Sequence, residues 1–130
     1  MVVDRKTILI VEDEPNVAEM FVEMFRVSDF EVYKCLSSSD ALKLARQHKP
    51  DLIVMDVMMP EVSGLTILQQ IRAIEGLEKL PVIVVSSNAL PKDIQAGLDA
   101  GATAYLAKPI SYAELIFIVN QIIEKEGTEN

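Results

Sequence analysis

A chain of 130 residues, half of them hydrophobic and a quarter charged, makes one globular domain whose core needs neither disulfides nor a structural metal. Asp and Glu total 20 against 12 Lys and Arg, a net charge of -8 with pI near 4.6 and no basic stripe, which argues against nucleic-acid binding through the phosphate backbone. The start MVVDRK lacks the apolar stretch of an export signal, no apolar run approaches membrane-spanning length, and the lone Cys35 has no internal partner, so a cytoplasmic protein that does not engage membranes is expected.

Short apolar runs alternate with stretches of helical period five times. Ile8 to Val11 reads as a strand, followed by Pro15 at a first helical position and by Val17, Met20, Phe21, Met24 and Phe25 at helical spacing. Glu31 to Leu36 is the second strand, with Cys35 a buried thiol within it, and Ser37, Ser38 and Ser39 offer caps for a helix through Ala41, Leu42, Leu44 and Ala45 that stops before Pro50. Leu52 to Met55 is a fully buried third strand. Gly64 precedes a helix through Leu65, Ile67, Leu68 and Ile71, and Pro81 introduces the strand Val82 to Val85. A fourth helix runs from about Pro91 to Ala100 and stops at Gly101; Ala104 to Ala107 is the fifth strand, and Ser111 with Glu114 forms the S-x-x-E pattern that opens the last helix. Residues 1–6 and 125–130 read as loose ends of one domain spanning 1–130.

Such alternation implies right-handed crossovers and a doubly wound α/β fold, a five-stranded parallel sheet in the flavodoxin-like order 2-1-3-4-5 with five helices. Ligands of such sheets sit outside the carboxyl ends of the strands. There the sequence places Glu12 and Asp13 after the first strand, Asp56 after the third, Ser86 and Ser87 at the fourth and Lys108 after the fifth. Singly, each has an ordinary explanation as a solvated charge or a turn cap. Together they suit phosphoryl transfer onto a carboxylate. Converging acidic groups hold a hard divalent cation through oxygen, Asp56 is the nucleophile, and Lys108 with the Ser86 hydroxyl binds the incoming phosphoryl oxygens.

The motifs VED at 11 to 13, DVMMP at 56 to 60 with Gly64, VVSS at 84 to 87 and AYLAKP at 104 to 109 resemble those of the receiver domains of two-component response regulators. The resemblance covers nearly the whole chain. It implies that Asp56 is the phosphoacceptor, and that Glu12, Asp13 and Asp56 hold Mg²⁺ with the Met58 backbone carbonyl as a further ligand. It implies too that Ser86 is a phosphate-binding and switch residue, Tyr105 a switch aromatic and Lys108 the phosphate-binding lysine, with the Lys108–Pro109 peptide cis. It implies further that a histidine kinase or phosphotransfer protein donates the phosphoryl group, and that a downstream protein then engages the face made by the fourth helix, fifth strand and last helix. Many DNA-binding receivers carry acidic residues before the switch tyrosine and a basic last helix. Here Ala102, Thr103 and Ala104 precede Tyr105, and the last helix is apolar and acidic, so a monomer or weak homodimer is expected. No output domain follows Asn130, which suits either a single-domain regulator or an excised receiver.

Competing chemistries fit less well. A haloacid-dehalogenase-type phosphatase needs a second Asp two positions after the nucleophile, where Met58 stands, and a flavin carrier needs a phosphate loop where this chain has EDEPN. A degenerate receiver would lack the acceptor, a metal carboxylate or the lysine, and none is missing. In the last helix Leu115, Ile118, Val119 and Ile122 form the stripe that faces the sheet, whereas Phe117 falls among polar residues and is a candidate partner contact.

Overall fold

The computed structural model describes residues 5–128. It contains β1 (Thr7–Val11), α1 (Pro15–Val27), β2 (Glu31–Cys35), α2 (Ala41–His48), β3 (Leu52–Met55), α3 (Gly64–Arg72), β4 (Val82–Ser86), α4 (Pro91–Ala100), β5 (Ala104–Ala107) and α5 (Tyr112–Thr128), with a 3-10 turn at Ser38–Asp40. The strands pair in parallel as one five-stranded sheet in the order β2-β1-β3-β4-β5.

Side chains alternate across a strand, so each strand feeds two cores. Leu9, Val11, Ile53, Met55, Val82 and Val84 meet Ala41 and Ala45 of α2, Ile67, Leu68 and Ile71 of α3 and Ala100 of α4. Ile8, Ile10, Leu52, Val54, Ile83 and Val85 meet Ala18, Phe21, Val22 and Phe25 of α1 and Leu115 and Val119 of α5. The register aligns Val11 with Met55, so β1 and β3 end level, while Met55 pairs with Val84 and β4 runs two residues further, to Ser86. That levelling sets Glu12 and Asp56 side by side.

Helix starts follow local chemistry. Pro15 opens α1, with the Glu14 carboxylate accepting the Asn16 N–H at 3.3 Å. The Ser63 hydroxyl accepts the Leu65 N–H at 3.1 Å in α3, and Ser111 accepts the Glu114 N–H at 3.1 Å in α5. Two expectations need correction. No side-chain hydrogen bond from Ser37 or Asp40 caps the turn or α2; the serine hydroxyls face the loop after β3, where the Glu61 carboxylate and the Val62 N–H offer partners. The last helix also runs on to Thr128 instead of loosening at 125, because half-buried Ile122 and Ile123 hold its apolar face and Glu124 and Lys125 are good helix formers. The remainder of the expected loose ends, 1–4 and 129–130, lies outside the described residues.

One organising contact has no sequence signature. Arg72, at the end of α3, donates from Nε and Nη2 to the Gly101 carbonyl at 3.0 and 2.8 Å and from Nη1 to the Leu80 carbonyl at 2.6 Å. Its fork joins the start of β4 to the end of α4, where Gly101 turns at φ 114. Arg72→Ala is expected to cost about 2–3 kcal/mol, since hydrogen bonds to a charged donor are worth more than neutral ones. Arg72→Lys should recover less than half, because an ammonium cannot span both carbonyls. Urea unfolding of the two variants checks this, and a lysine variant as stable as the parent would refute it.

Candidate phosphoacceptor site

Three strand ends meet at Lys108. Its ammonium lies 2.9 Å from Asp56 Oδ2 and 3.2 Å from Glu12 Oε1, joining the ends of β1, β3 and β5. The Lys108 N–H donates to the Ser86 carbonyl at 2.9 Å, and the Lys108–Pro109 peptide is cis. Asp56 is held from three sides: its N–H donates to the Val11 carbonyl at 3.2 Å, its Oδ1 accepts the Met58 N–H at 2.9 Å, and its Oδ2 takes the lysine. Behind it, a Cβ on Gly64 would come within 2.6 Å of the Asp56 carbonyl oxygen and of the Val57 Cα. Only glycine lets α3 start so close to the Asp56 backbone.

Glu12 is nearly fully buried, 3% exposed. Burial pushes its carboxyl above the ordinary range, more strongly than the Glu14 N–H at 3.1 Å and Lys108 pull it down, and Asp56 adds to the rise. For Lys108, burial works against the charge, but the hydrogen bond and charge of Asp56, and then Glu12, outweigh it and raise the ammonium above its usual value. One ammonium therefore serves two carboxylates, one of which burial still drives toward its proton. Such a site has room electrostatically for a further cation. Among the described residues no three Asp, Glu, His or Cys side chains converge to enclose an ion. The carboxylates of Glu12, Asp13 and Asp56 are nonetheless hard oxygen donors of the kind Mg²⁺ takes, with water and phosphate oxygens left to complete its shell.

Asp13 is half-buried beside Lys108's partners in sequence, but it opens onto a groove of about 640 Å³ shared with Met58, Asn88 and Tyr105. Ser86 is fully buried, its Oγ accepting the Asn88 N–H at 3.1 Å, whereas Ser87 is exposed. The Tyr105 hydroxyl donates to the Asn88 carbonyl, and its ring covers Gly97 so closely that a Cβ there has no room. Asn88, which the sequence did not single out, thus links Ser86 to Tyr105; its only advance sign is its place two residues after Ser86. Phe117 stands apart from this cluster, 61% exposed on α5 opposite buried Leu115 and Val119.

Comparison with known proteins places the chain in a family and a fold. Residues 8–120 match the family described as the response regulator receiver domain. The polar-differentiation response regulator DivK of Brucella ovis is 39% identical over 111 residues, covering 85% of this chain and 90% of that protein. The receiver domain of Francisella response regulator 1452 superposes with a TM-score of 0.87 at 28% identity, covering 94% of this chain and 99% of that one. A CheY-like receiver domain protein from Methanospirillum hungatei shares the fold, with a TM-score of 0.90 at 21% identity over 98% of this chain and 100% of that one.

The raised Glu12 carboxyl has a consequence for stability. Above the ordinary value of 4.5 the folded state holds this proton more tightly than the unfolded chain, so Glu12's contribution is fully present below 4.5 and is lost as pH rises through its folded value. Glu12→Gln cannot ionise. Without metal, its stability relative to the parent should therefore increase as pH rises from 4.5; urea unfolding across that range would contradict the assignment if the difference stayed flat or moved the other way.

Proposed function

We propose, since this chain belongs to the response regulator receiver domain family and so acts in phosphorelay signalling as a signalling protein, that Asp56 is its phosphoacceptor. The observation that carries this is the position of Asp56: a carboxylate with a side chain 10% exposed, at the end of a central strand, 2.9 Å from an ammonium and level with a second buried carboxylate.

The donor is a phosphohistidine of a histidine kinase or phosphotransfer protein. An Asp56 carboxylate oxygen bonds to phosphorus as the P–N bond breaks, and the imidazole departs with its electron pair and takes up a proton. Lys108 turns from the carboxylate to a phosphoryl oxygen, and the Ser86 hydroxyl donates to another. Glu12, Asp13, Asp56 and the Met58 carbonyl are the groups that would hold Mg²⁺, which when bound neutralises charge on the carboxylates and the phosphoryl oxygens. The same groups assist later loss of the phosphoryl group to water, the domain otherwise catalysing nothing.

Signal leaves through Asn88. When Ser86 turns its hydroxyl to the phosphoryl group, the Asn88 N–H loses its present acceptor geometry, and the Asn88 carbonyl that holds Tyr105 moves with it. Tyr105 then shifts inward and biases the face made by α4, β5 and α5. Leu90 just before α4, Leu98 of α4 and Phe117 of α5 are exposed at 60%, 43% and 61%, apolar area suited to a protein partner in the cytoplasm or to a weakly bound second copy.

Treatment with a small phosphodonor and Mg²⁺ should add one phosphoryl group to the parent, read by mass spectrometry, and none to Asp56→Asn. Gain of the same mass at another residue under mild conditions would refute the assignment. Phe117→Ala should leave the melting temperature and Asp56 phosphorylation unchanged while weakening the partner complex by about 1 kcal/mol or more. Loss of folding would make Phe117 a core residue, and unchanged affinity would place the partner elsewhere.

A further inference from the structure

β2 is the one strand that sends no side chain to the site, yet the turn that follows it touches both loops expected to supply ligands to the metal. On one side the Cys35 carbonyl accepts the Glu12 N–H at 3.0 Å, fixing the backbone of the acidic pair. On the other, the turn grips the loop that runs from Asp56 to α3. The Ser37 hydroxyl donates to Glu61 Oε1 at 2.6 Å, and the Ser39 hydroxyl lies 2.8 Å from Ser37 Oγ and 3.4 Å from Glu61 Oε2. Buried Ser38 accepts the Val62 N–H at 2.8 Å. The turn is itself pinned, because the buried Cys35 thiol donates to the Ser37 carbonyl at 2.9 Å.

The gripped loop is short and closed at its other end. Met59 and Gly64 both donate N–H groups to the Val57 carbonyl, at 3.2 and 3.1 Å, so residues 57–64 form a bracket with Met58 at one limb and Glu61–Val62 at the other. The outer limb is thus tied through the Val57 carbonyl to the segment that carries Met58. The serines, which resemble helix caps in the sequence, have no capping bond to make; their hydroxyls are spent on this bracket instead.

We infer that the Cys35–Ser39 turn is a brace that sets the spacing between the Glu12–Asp13 loop and the Met58 loop, and so governs the affinity of the site for a divalent cation. Ser37, Ser38, Ser39 and Glu61 are positioning residues: they touch neither the cation nor the phosphoryl group. The inference rests on the metal ligands proposed above. Outer-sphere partners of metal ligands alter affinity strongly, and these act one step further out, so a smaller effect of roughly three- to tenfold is expected.

The decisive variant is Ser37→Ala with Ser39→Ala. Ser37 is half-buried and Ser39 exposed, so folding should survive, and no charge changes. Calorimetric titration with Mg²⁺ alone should show a dissociation constant weaker by roughly three- to tenfold, with hydrogen exchange faster at the amides of 57–63 and an unaltered melting temperature. Phosphorylation by a small donor should need correspondingly more Mg²⁺ for half-maximal rate yet reach the parent's rate at saturation. Glu61→Gln removes the charge but keeps an acceptor and should fall between the two. Asp13→Asn separates the two possible failures. If the parent binds Mg²⁺, Asp13→Asn weakens that binding and the double serine variant matches the parent, the brace is refuted alone. If the parent does not bind Mg²⁺, or Asp13→Asn leaves binding unchanged, the metal-site reading fails and the brace falls with it.

Discussion

Everything at the carboxyl edge depends on one ammonium shared by two carboxylates. Glu12 and Asp56 stand side by side because β1 and β3 are neighbours that end in register, and two anions so placed and so little hydrated would be costly without a cation between them. Lys108 follows β5, two strands from β3 and three from β1, and its long side chain reaches both carboxylates while its backbone is tied to β4 through Ser86. The parallel order therefore does more than bury apolar runs. It brings residues 96 and 52 positions apart in sequence, Glu12 and Asp56 respectively, onto a single lysine.

Much of this was legible in the sequence because the signals were of the kind that period and punctuation carry. The strand LIVM is buried on both faces as a continuous apolar run requires, and Gly101 ends α4 in the left-handed conformation that glycine tolerates. The phase of α5 was also readable, with Leu115 and Val119 inside and Phe117 outside. What could not be read were contacts between distant segments that leave no local pattern. Ser37 to Ser39 look like caps because capping is local; nothing near them announces Glu61, 24 residues away from Ser37. Arg72 looks like an ordinary basic residue at a helix end, and its engagement with Gly101 depends on how α3 and α4 pack. Asn88 is a turn residue by composition, and its link to both Ser86 and Tyr105 appears only when β4 and β5 are paired.

A division of labour among the strands follows. β1, β3 and β5 carry the charged groups, and β4 supplies a hydroxyl and a tether. β2, at the sheet margin, carries none of these, and the turn after it holds the neighbouring loops in place. Glycine contributes by absence at two points of close approach. Gly64 admits the backbone of Asp56 against the first turn of α3, and Gly97 admits the ring of Tyr105 against α4. In both cases a methyl group would displace a residue assigned to signalling.

The slot at Gly97 also determines how firmly α4 is seated. Its two buried residues are Gly97 and Ala100, the smallest side chains available, and a glycine inside a helix costs about 1 kcal/mol relative to alanine. The helix therefore contributes little to either core. A single rearranged hydrogen bond, worth about 1 kcal/mol, changes a two-state ratio by roughly fivefold, whereas a complete reversal from 1:99 to 99:1 needs about 5.5 kcal/mol. A lightly seated α4 suits a graded bias of this kind: an event worth one hydrogen bond would tilt the balance, and the remainder of a full shift would have to come from the free energy of whatever binds.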